Sequence, residues 1–254
     1  MKNLKSQIID FIKNYVDSAK AKGVVLGMSG GKDSFVVAKL CCEAIGKQNV
    51  FGIIMPKGDM LDIDIAKQEC EILGINYEVA NIKNLYDEMT MLSKKAIAKA
   101  TSKSEIEVEL SSVSSFNISP RLRMNLLYSV GGTLGYLVAN TSNLSERMVG
   151  YTTKWGDNVG DFAPILGLTK TEVCELGLAL GLPEELVCKK PADGLTGKTD
   201  EDVMGFSYNE LDDFIRNGVI SKNHDKILKM HKASAHKREP ILSFDPKLKN
   251  YFEN

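Results

Sequence analysis

No stretch of the chain approaches the roughly 18 uninterrupted apolar residues that a membrane-spanning helix needs, so nothing in it reads as membrane-embedded. A secretory h-region is also missing: Met1-Lys2-Asn3-Leu4-Lys5 leads into a charged amphipathic pattern. Excess charge of either sign is absent. Lys and Arg number 32 against 33 Asp and Glu, a net charge of −1, which argues against a wide nucleic-acid footprint but leaves room for a local basic site for phosphates. The five cysteines (Cys41, Cys42, Cys70, Cys174 and Cys188) are odd in number and contain no C-x-x-C pair. That spacing argues against a zinc or redox centre, and the reading is of reduced core or surface thiols in a cytoplasmic protein. What remains is ordinary for a globular chain: 254 residues, 43% hydrophobic and 26% charged, enough for one large domain or two small ones.

The most informative stretch is Gly27-Met28-Ser29-Gly30-Gly31-Lys32-Asp33-Ser34. It follows an apolar run, Val24-Val25-Leu26, that reads as a buried strand, and precedes Phe35-Val36-Val37-Ala38-Lys39-Leu40, which opens a helix. Strand, glycine-rich turn and helix together make a cradle in which backbone N–H groups and the helix N-terminus face an anion. Adjacent glycines let the main chain approach phosphate oxygens that a Cβ would hold away. The Walker A pattern is excluded, because Lys32 is followed by Asp33 and not by Ser or Thr.

Helical spacing of Leu4, Ile8, Phe11, Ile12, Tyr15 and Ala19 predicts an opening helix over 3–21. Strands are expected at 50–55 and 75–80, with a helix between them on Ile63, Ala66, Cys70 and Leu73 that ends at Gly74. The stretch 82–110 reads as mixed helix, 111–115 as a loop, and Pro120 as the first turn of an apolar helix reaching about residue 136. A short strand follows at Tyr136–Ala139. Residues 150–168 show no helical period, and a loop of that length in a compact domain is usually functional. Thr169-x-x-Glu172 and Ser207-x-x-Glu210 are capping boxes for later helices, and the basic tail from Lys222 reads as helical. Alternation of strand and helix predicts an α/β fold: a doubly wound, mainly parallel sheet with helices on both faces and its ligand at the carboxyl ends of the strands.

S-G-G-x-D-S after a strand resembles the pyrophosphate loop of the N-type ATP pyrophosphatases. Six further segments narrow the resemblance: 117–124 (Asn-Ile-Ser-Pro-Arg-Leu-Arg-Met), 141–146 (Thr-Ser-Asn-Leu-Ser-Glu), 150–157 (Gly-Tyr-Thr-Thr-Lys-Trp-Gly-Asp), 168–171 (Leu-Thr-Lys-Thr), 199–201 (Thr-Asp-Glu) and 236–238 (His-Lys-Arg). In this order they resemble the ammonia-dependent NAD synthetases, over about residues 3–245. The resemblance implies a single domain over 1–254 that converts deamido-NAD, ATP and ammonia to NAD, AMP and pyrophosphate. It further implies that Gly27, Met28, Ser29, Gly30, Gly31, Lys32, Asp33 and Ser34, with Thr141 and Lys170, bind ATP, and that Asp33 and Glu146 hold Mg²⁺. Arg121, preferred over Arg123, would contact the dinucleotide along with Lys154, Asp161, His236 and Lys237. Family members are homodimers, which would account for the apolar 120–136 helix. The glutamine-dependent relatives carry an additional amidase domain for which 254 residues leave no room.

The chemistry needs such residues. A carboxylate is a poor electrophile and must first be activated as its adenylate, while cations neutralise charge on the departing pyrophosphate. Asp157, in the Gly156-Asp157 turn, is the candidate for orienting ammonium or accepting its proton. Two departures from the family pattern stand out. Ala192 and Asp193 follow Pro191 where a hydroxyl residue is common, and Ser119-Pro120 replaces a basic-small pair. The alternatives are another pyrophosphate-loop enzyme, such as a related sulfur transferase, and a catalytically silent nucleotide-binding protein. The former should lack the combined Lys154, Asp161 and His236-Lys237 set, and the latter has no need of both Asp33 and Glu146.

Overall fold

The structure is a computed structural model that describes residues 1–59, 62–188 and 199–244. Helix α1 spans Lys2–Ser18; strand β1 (Gly23–Gly27) leads into α2 (Lys32–Ile45), and β2 (Val50–Ile54) is followed by α3 (Ile63–Leu73). Strand β3 (Asn76–Val79) then precedes α4 (Lys83–Thr101), α5 (Ser112–Leu134) and β4 (Tyr136–Val138). The remaining helices are α6 (Leu144–Val149), α7 (Lys170–Ala179), α8 (Glu184–Val187), α9 (Asp200–Met204), α10 (Tyr208–Asn217) and α11 (His224–Ala233).

The four strands are all parallel, in the order β3-β2-β1-β4. Val24, Val25 and Leu26 of β1 are wholly buried, as a central strand covered on both faces must be. On one face, α2 brings Phe35, Val36 and Leu40 against Val24 and Leu26, with α1, α3 and α7 packed around it. On the other, Leu122, Leu126, Leu127 and Val130 of α5 pack over Val25, Ile53 and Val138. A smaller cluster of Val149, Met204, Phe206, Tyr208, Leu211 and Ile227 holds the C-terminal helices together. Among the described residues no helix is long and apolar enough to cross a membrane.

The chain steps outward from β1 to β2 to β3, then returns to place β4 on the other side of β1. The order in which the strands are laid down therefore reverses between β1 and β4, and the crevice outside their carboxyl ends is where a doubly wound sheet binds its ligand.

Two expectations are corrected. Helix α5 begins at Ser112, not at Pro120, because the Ser111 side chain caps it by accepting from the Ser114 N–H at 3.2 Å. Pro120 lies inside it and forfeits a bond to the Phe116 carbonyl. The helix is anchored there, where Thr153 Oγ1 donates to Asn117 Oδ1 at 2.8 Å and Gly156 lies so close that a Cβ on it would meet Pro120 Cβ at 3.0 Å. The second correction concerns the cysteines. Cys41, Cys42 and Cys70 are free thiols, but Cys174 of α7 and Cys188, just past α8, form a disulfide. The two helices fold back on one another after Gly181, which brings residues 14 apart into contact without any C-x-x-C spacing.

Candidate active site

The loop after β1 is shaped as an anion cradle. Gly30 has φ +75°, and a Cβ there would meet the Asp62 carbonyl oxygen at 2.7 Å, so only glycine fits. Ser34 Oγ donates to the Gly31 carbonyl at 2.9 Å and accepts from the Ser29 N–H at 3.3 Å. Gly31 is the extended N-cap of α2 and offers no side-chain cap, so the first-turn N–H groups of a 14-residue helix face the crevice.

The loop after β4 supplies the other wall. Asn140 Nδ2 donates to the carbonyls of Asp157 and Val159 at 2.8 and 3.0 Å, and Ser142 Oγ donates to Asp157 O at 3.1 Å. These bonds stitch the long 150–168 segment to the end of the sheet. Asn143 caps α6 by accepting from the Glu146 N–H at 3.0 Å, and its Nδ2 donates to Asp33 Oδ1 at 3.2 Å. Between the two walls lies a cleft of about 360 Å³ that includes Gly27, Met28, Ser29, Asp33, Ser34, Thr141, Glu146 and Asp157.

At one end of the cleft the fold brings together groups up to 137 residues apart in sequence. Lys170 Nζ donates to Asp33 Oδ2 at 2.6 Å and to Glu146 Oε1 at 2.7 Å. The lysine is 7% exposed and each carboxylate 16%. The Tyr208 ring lies 5.1 Å from the ammonium, and the Tyr208 hydroxyl donates to Asp200. Burial pushes the Glu146 carboxyl up to about 7; Lys170 opposes that rise and the Asp33 charge adds to it. For Lys170 the two carboxylates outweigh burial, so its ammonium is held well above the usual lysine range. Lys32 is lowered by burial and by the Lys170 charge.

The backbone beneath Lys170 is held by a buried network. The Lys170 N–H donates to Ser145 Oγ at 2.9 Å, and Ser145 Oγ in turn donates to Asp212 Oδ1. Asp212 Oδ2 accepts from Thr171 N–H and Oγ1 at 2.9 and 2.7 Å. A carboxylate on α10 thus caps the N-terminus of α7.

The residues expected to contact the dinucleotide are placed differently. Arg121 is exposed and spends Nε and Nη2 on the Lys154 carbonyl, both at 3.2 Å. Lys154 Nζ sits 5.3 Å from the Trp155 ring. Asp161 Oδ2 accepts from the Val138 N–H at 2.7 Å, closing the outer edge of β4. Lys237 Nζ donates to the Gly150 and Thr152 carbonyls at 2.7 and 2.6 Å, and His236 is exposed. None of these five lines the cleft. Arg123 does: its Nε donates to the Met55 carbonyl at 3.0 Å, and Asp157 is its nearby counter-charge. The sequence offers two arginines with one residue between them, and nothing in their spacing says which faces the cleft. Asp157 accepts from the Thr153 N–H at 2.6 Å and opens onto the cleft, where burial raises its carboxyl. Ala192 and Asp193 lie outside the described residues, whereas Thr199 caps α9 and its capping box is complete.

Two carboxylates held together at the mouth of a phosphate cradle suit Mg²⁺, which takes one or two carboxylates and completes its shell with nucleotide oxygens and water. Among the described residues no group of three or more His, Cys, Asp or Glu is placed to hold a metal ion.

The NAD synthase family model matches residues 4–243. The chain belongs to the NAD synthase family. It is an enzyme of ATP-dependent amidation giving NAD. An NH₃-dependent NAD⁺ synthetase of Finegoldia magna is 40% identical over 250 residues, covering 98% of each chain. Among solved structures, an NMN synthetase from Francisella tularensis superposes with a TM-score of 0.83 at 31% identity, covering 97% of this chain and 98% of that one. An NH₃-dependent NAD synthetase from Campylobacter jejuni gives a TM-score of 0.74 at 28% identity, covering 96% and 98%. The doubly wound α/β fold is shared with these structural relatives.

Proposed function

We propose that the chain takes its nitrogen from free ammonia and activates the nicotinate carboxylate of deamido-NAD as an acyl-adenylate, with AMP and pyrophosphate as the other products. The observation that carries this reading is the Asp33–Lys170–Glu146 cluster at the open N-terminus of α2. A phosphate cradle alone binds nucleotide; the added carboxylate pair and ammonium support a reading in which a metal and a cation meet the departing pyrophosphate. In this reading Asp33 and Glu146 hold Mg²⁺, which when bound neutralises phosphate charge. The α2 N-terminus and Ser29 orient the β and γ phosphates, while Lys170, Lys32 and Thr141 complete the ATP contacts. The carboxylate attacks the α-phosphorus and pyrophosphate departs. Ammonia then attacks the acyl carbon, AMP leaves, and Asp157 orients the ammonium or takes its proton.

Arg123 and Asp157 line the wall of the cleft facing the acceptor, and Arg121, Lys154, Asp161, His236 and Lys237 would meet the remainder of the dinucleotide from outside it. A second subunit would complete that outer half. The resemblance puts the homodimer contact on the 120–136 stretch, but Leu122, Leu126, Leu127 and Val130 there pack on the chain's own sheet. A second subunit would instead cover the apolar surface of Val113 and Phe116 on α5 with Leu85, Met89 and Leu92 on α4. Light scattering should then give twice the 27.9 kDa chain mass. We place the enzyme in the cytoplasm, beside its nucleotide substrates.

The Francisella superposition favours a second acceptor, the deamido form of the mononucleotide. One assay separates the readings: purified protein with ATP and Mg²⁺, each acceptor in turn, and ammonium or glutamine as donor. NAD from deamido-NAD with ammonium alone supports the proposal. Preference for the mononucleotide moves the reading to NMN synthesis, and product from glutamine alone contradicts the ammonia assignment. Ordinary ammonium dependence in Asp157→Asn removes Asp157 from its role.

A further inference from the structure

The ammonium of Lys170 stands where a cation shared by Asp33 and Glu146 would stand. It lies 2.6 and 2.7 Å from one oxygen of each carboxylate, is 7% exposed, and faces the Tyr208 ring on a further side. A divalent cation cannot enter between the same oxygens while that charge remains, because two cations at hydrogen-bond spacing repel strongly at a largely buried site. The carboxylates, in turn, cannot spare the ammonium without a replacement, since two buried negative charges would face each other unpaired.

The means of exchange is built into the residue. The Lys170 N–H is fixed to Ser145 Oγ, and the next residue, Thr171, is fixed to Asp212 through both its N–H and its hydroxyl. The backbone is therefore held, and only the four-carbon stem has torsions free to carry the ammonium elsewhere. The nearest attraction for it would be phosphates on the α2 N-terminus, the element that also bears Asp33.

We propose that Lys170 is a resident counter-cation that keeps the metal pair closed until nucleotide arrives. Nucleotide phosphates draw the ammonium off Asp33 and Glu146, and the divalent cation takes its place, so that cation and nucleotide bind as one coupled event. This rests on the reading of Asp33 and Glu146 as the metal pair, and it adds that the pair is not available to metal alone.

The test is a Mn²⁺ titration of the nucleotide-free protein, with free Mn²⁺ followed by electron paramagnetic resonance. Wild type should bind Mn²⁺ only in about the millimolar range. Lys170→Met should tighten binding by about tenfold or more, and Lys170→Arg, which keeps the charge, should resemble wild type. Unchanged or weaker affinity in Lys170→Met overturns the proposal. Micromolar Mn²⁺ binding by the wild-type protein without nucleotide overturns it with no variant needed. The double variants Lys170→Met/Asp33→Asn and Lys170→Met/Glu146→Gln distinguish the two layers. Loss of the tightened site in both supports the metal pair and the proposal together, whereas a tightened site that survives both contradicts the underlying assignment of the pair.

Discussion

The two ends of the cleft are built differently. At the phosphate end, Asp33, Glu146 and Lys170 are largely buried and satisfied by one another, with Asp33 held by Asn143 and the Lys170 backbone held by Ser145, itself bonded to Asp212. Outside the other end, where our proposal puts the acceptor, Arg121 and Lys237 spend donors on the chain's own carbonyls, His236 is exposed, and Asp161 serves the edge of β4. A site that must polarise a leaving group gains from carboxylates and backbone fixed in advance, because in our proposal only the Lys170 stem then moves, as nucleotide binds and before the chemical step. A site that must admit a long substrate needs groups that can be recruited. In our proposal the difference means that activation is completed within one chain, while acceptor recognition waits on the substrate and on a second subunit.

Breaking the rigid end should cost the most. Glu146→Gln keeps the shape and removes one carboxylate charge, and pyrophosphate release should fall by about 10² to 10³. A folded variant with near-normal release would mean that the cluster is structural.

The brace behind that end comes next. The Cys174–Cys188 bond closes a loop of 14 residues and ties α7, which carries Lys170, to the segment after α8. Its loss in Cys188→Ser should lower unfolding stability by about 3 kcal/mol in urea under non-reducing conditions. Equal stability of wild type and variant without reductant would show that the bond contributes nothing.

The arginines sharpen the contrast at the other end. Arg123→Lys should lower kcat/KM for the acceptor by about 10- to 100-fold, the loss of a charge-assisted bond, while Arg121→Lys should act mainly on KM and by less. The reverse ranking would return the recognition role to Arg121.

The smallest effect is a pH dependence at Asp157. Burial raises its folded-state pKa, so the folded protein holds a proton that the unfolded chain has already released, and stability falls as pH rises from about 4 through the raised value. Asp157→Asn removes that fall and should have a Tm less dependent on pH over that range. The side chain still reaches water in the cleft, which keeps the difference small. A Tm profile parallel to wild type would show that Asp157 is not protonated differently in the two states.

The elements read from sequence were those whose signal is local. Val24-Val25-Leu26 followed by S-G-G-x-D-S gave the central strand and its cradle, Gly74 ended α3 in the left-handed conformation at φ +63°, and Thr169 and Ser207 formed the capping boxes their spacing predicts. Local signals misled where tertiary contacts prevailed. Pro120 reads as a helix start, yet Ser111 caps the helix upstream and the 150–168 segment packs against the proline. The disulfide and Asp212 had no signal to read, since Cys174 meets Cys188 only after a turn between helices and Asp212 meets Ser145 across 67 residues. The Asp33, Glu146 and Lys170 positions were legible through family resemblance, but the ammonium lying between the carboxylates is a fact of three dimensions.

The most direct test of the account is exchange of labelled pyrophosphate into ATP. The enzyme, with Mg²⁺, ATP and deamido-NAD but no ammonium, should incorporate the label, because a carboxylate activated as its adenylate can be returned to ATP by pyrophosphate. Omitting deamido-NAD should abolish the exchange, as should Glu146→Gln. Exchange that needs no acceptor, or none with every component present while NAD still forms with ammonium, would contradict activation through an acyl-adenylate at this cluster.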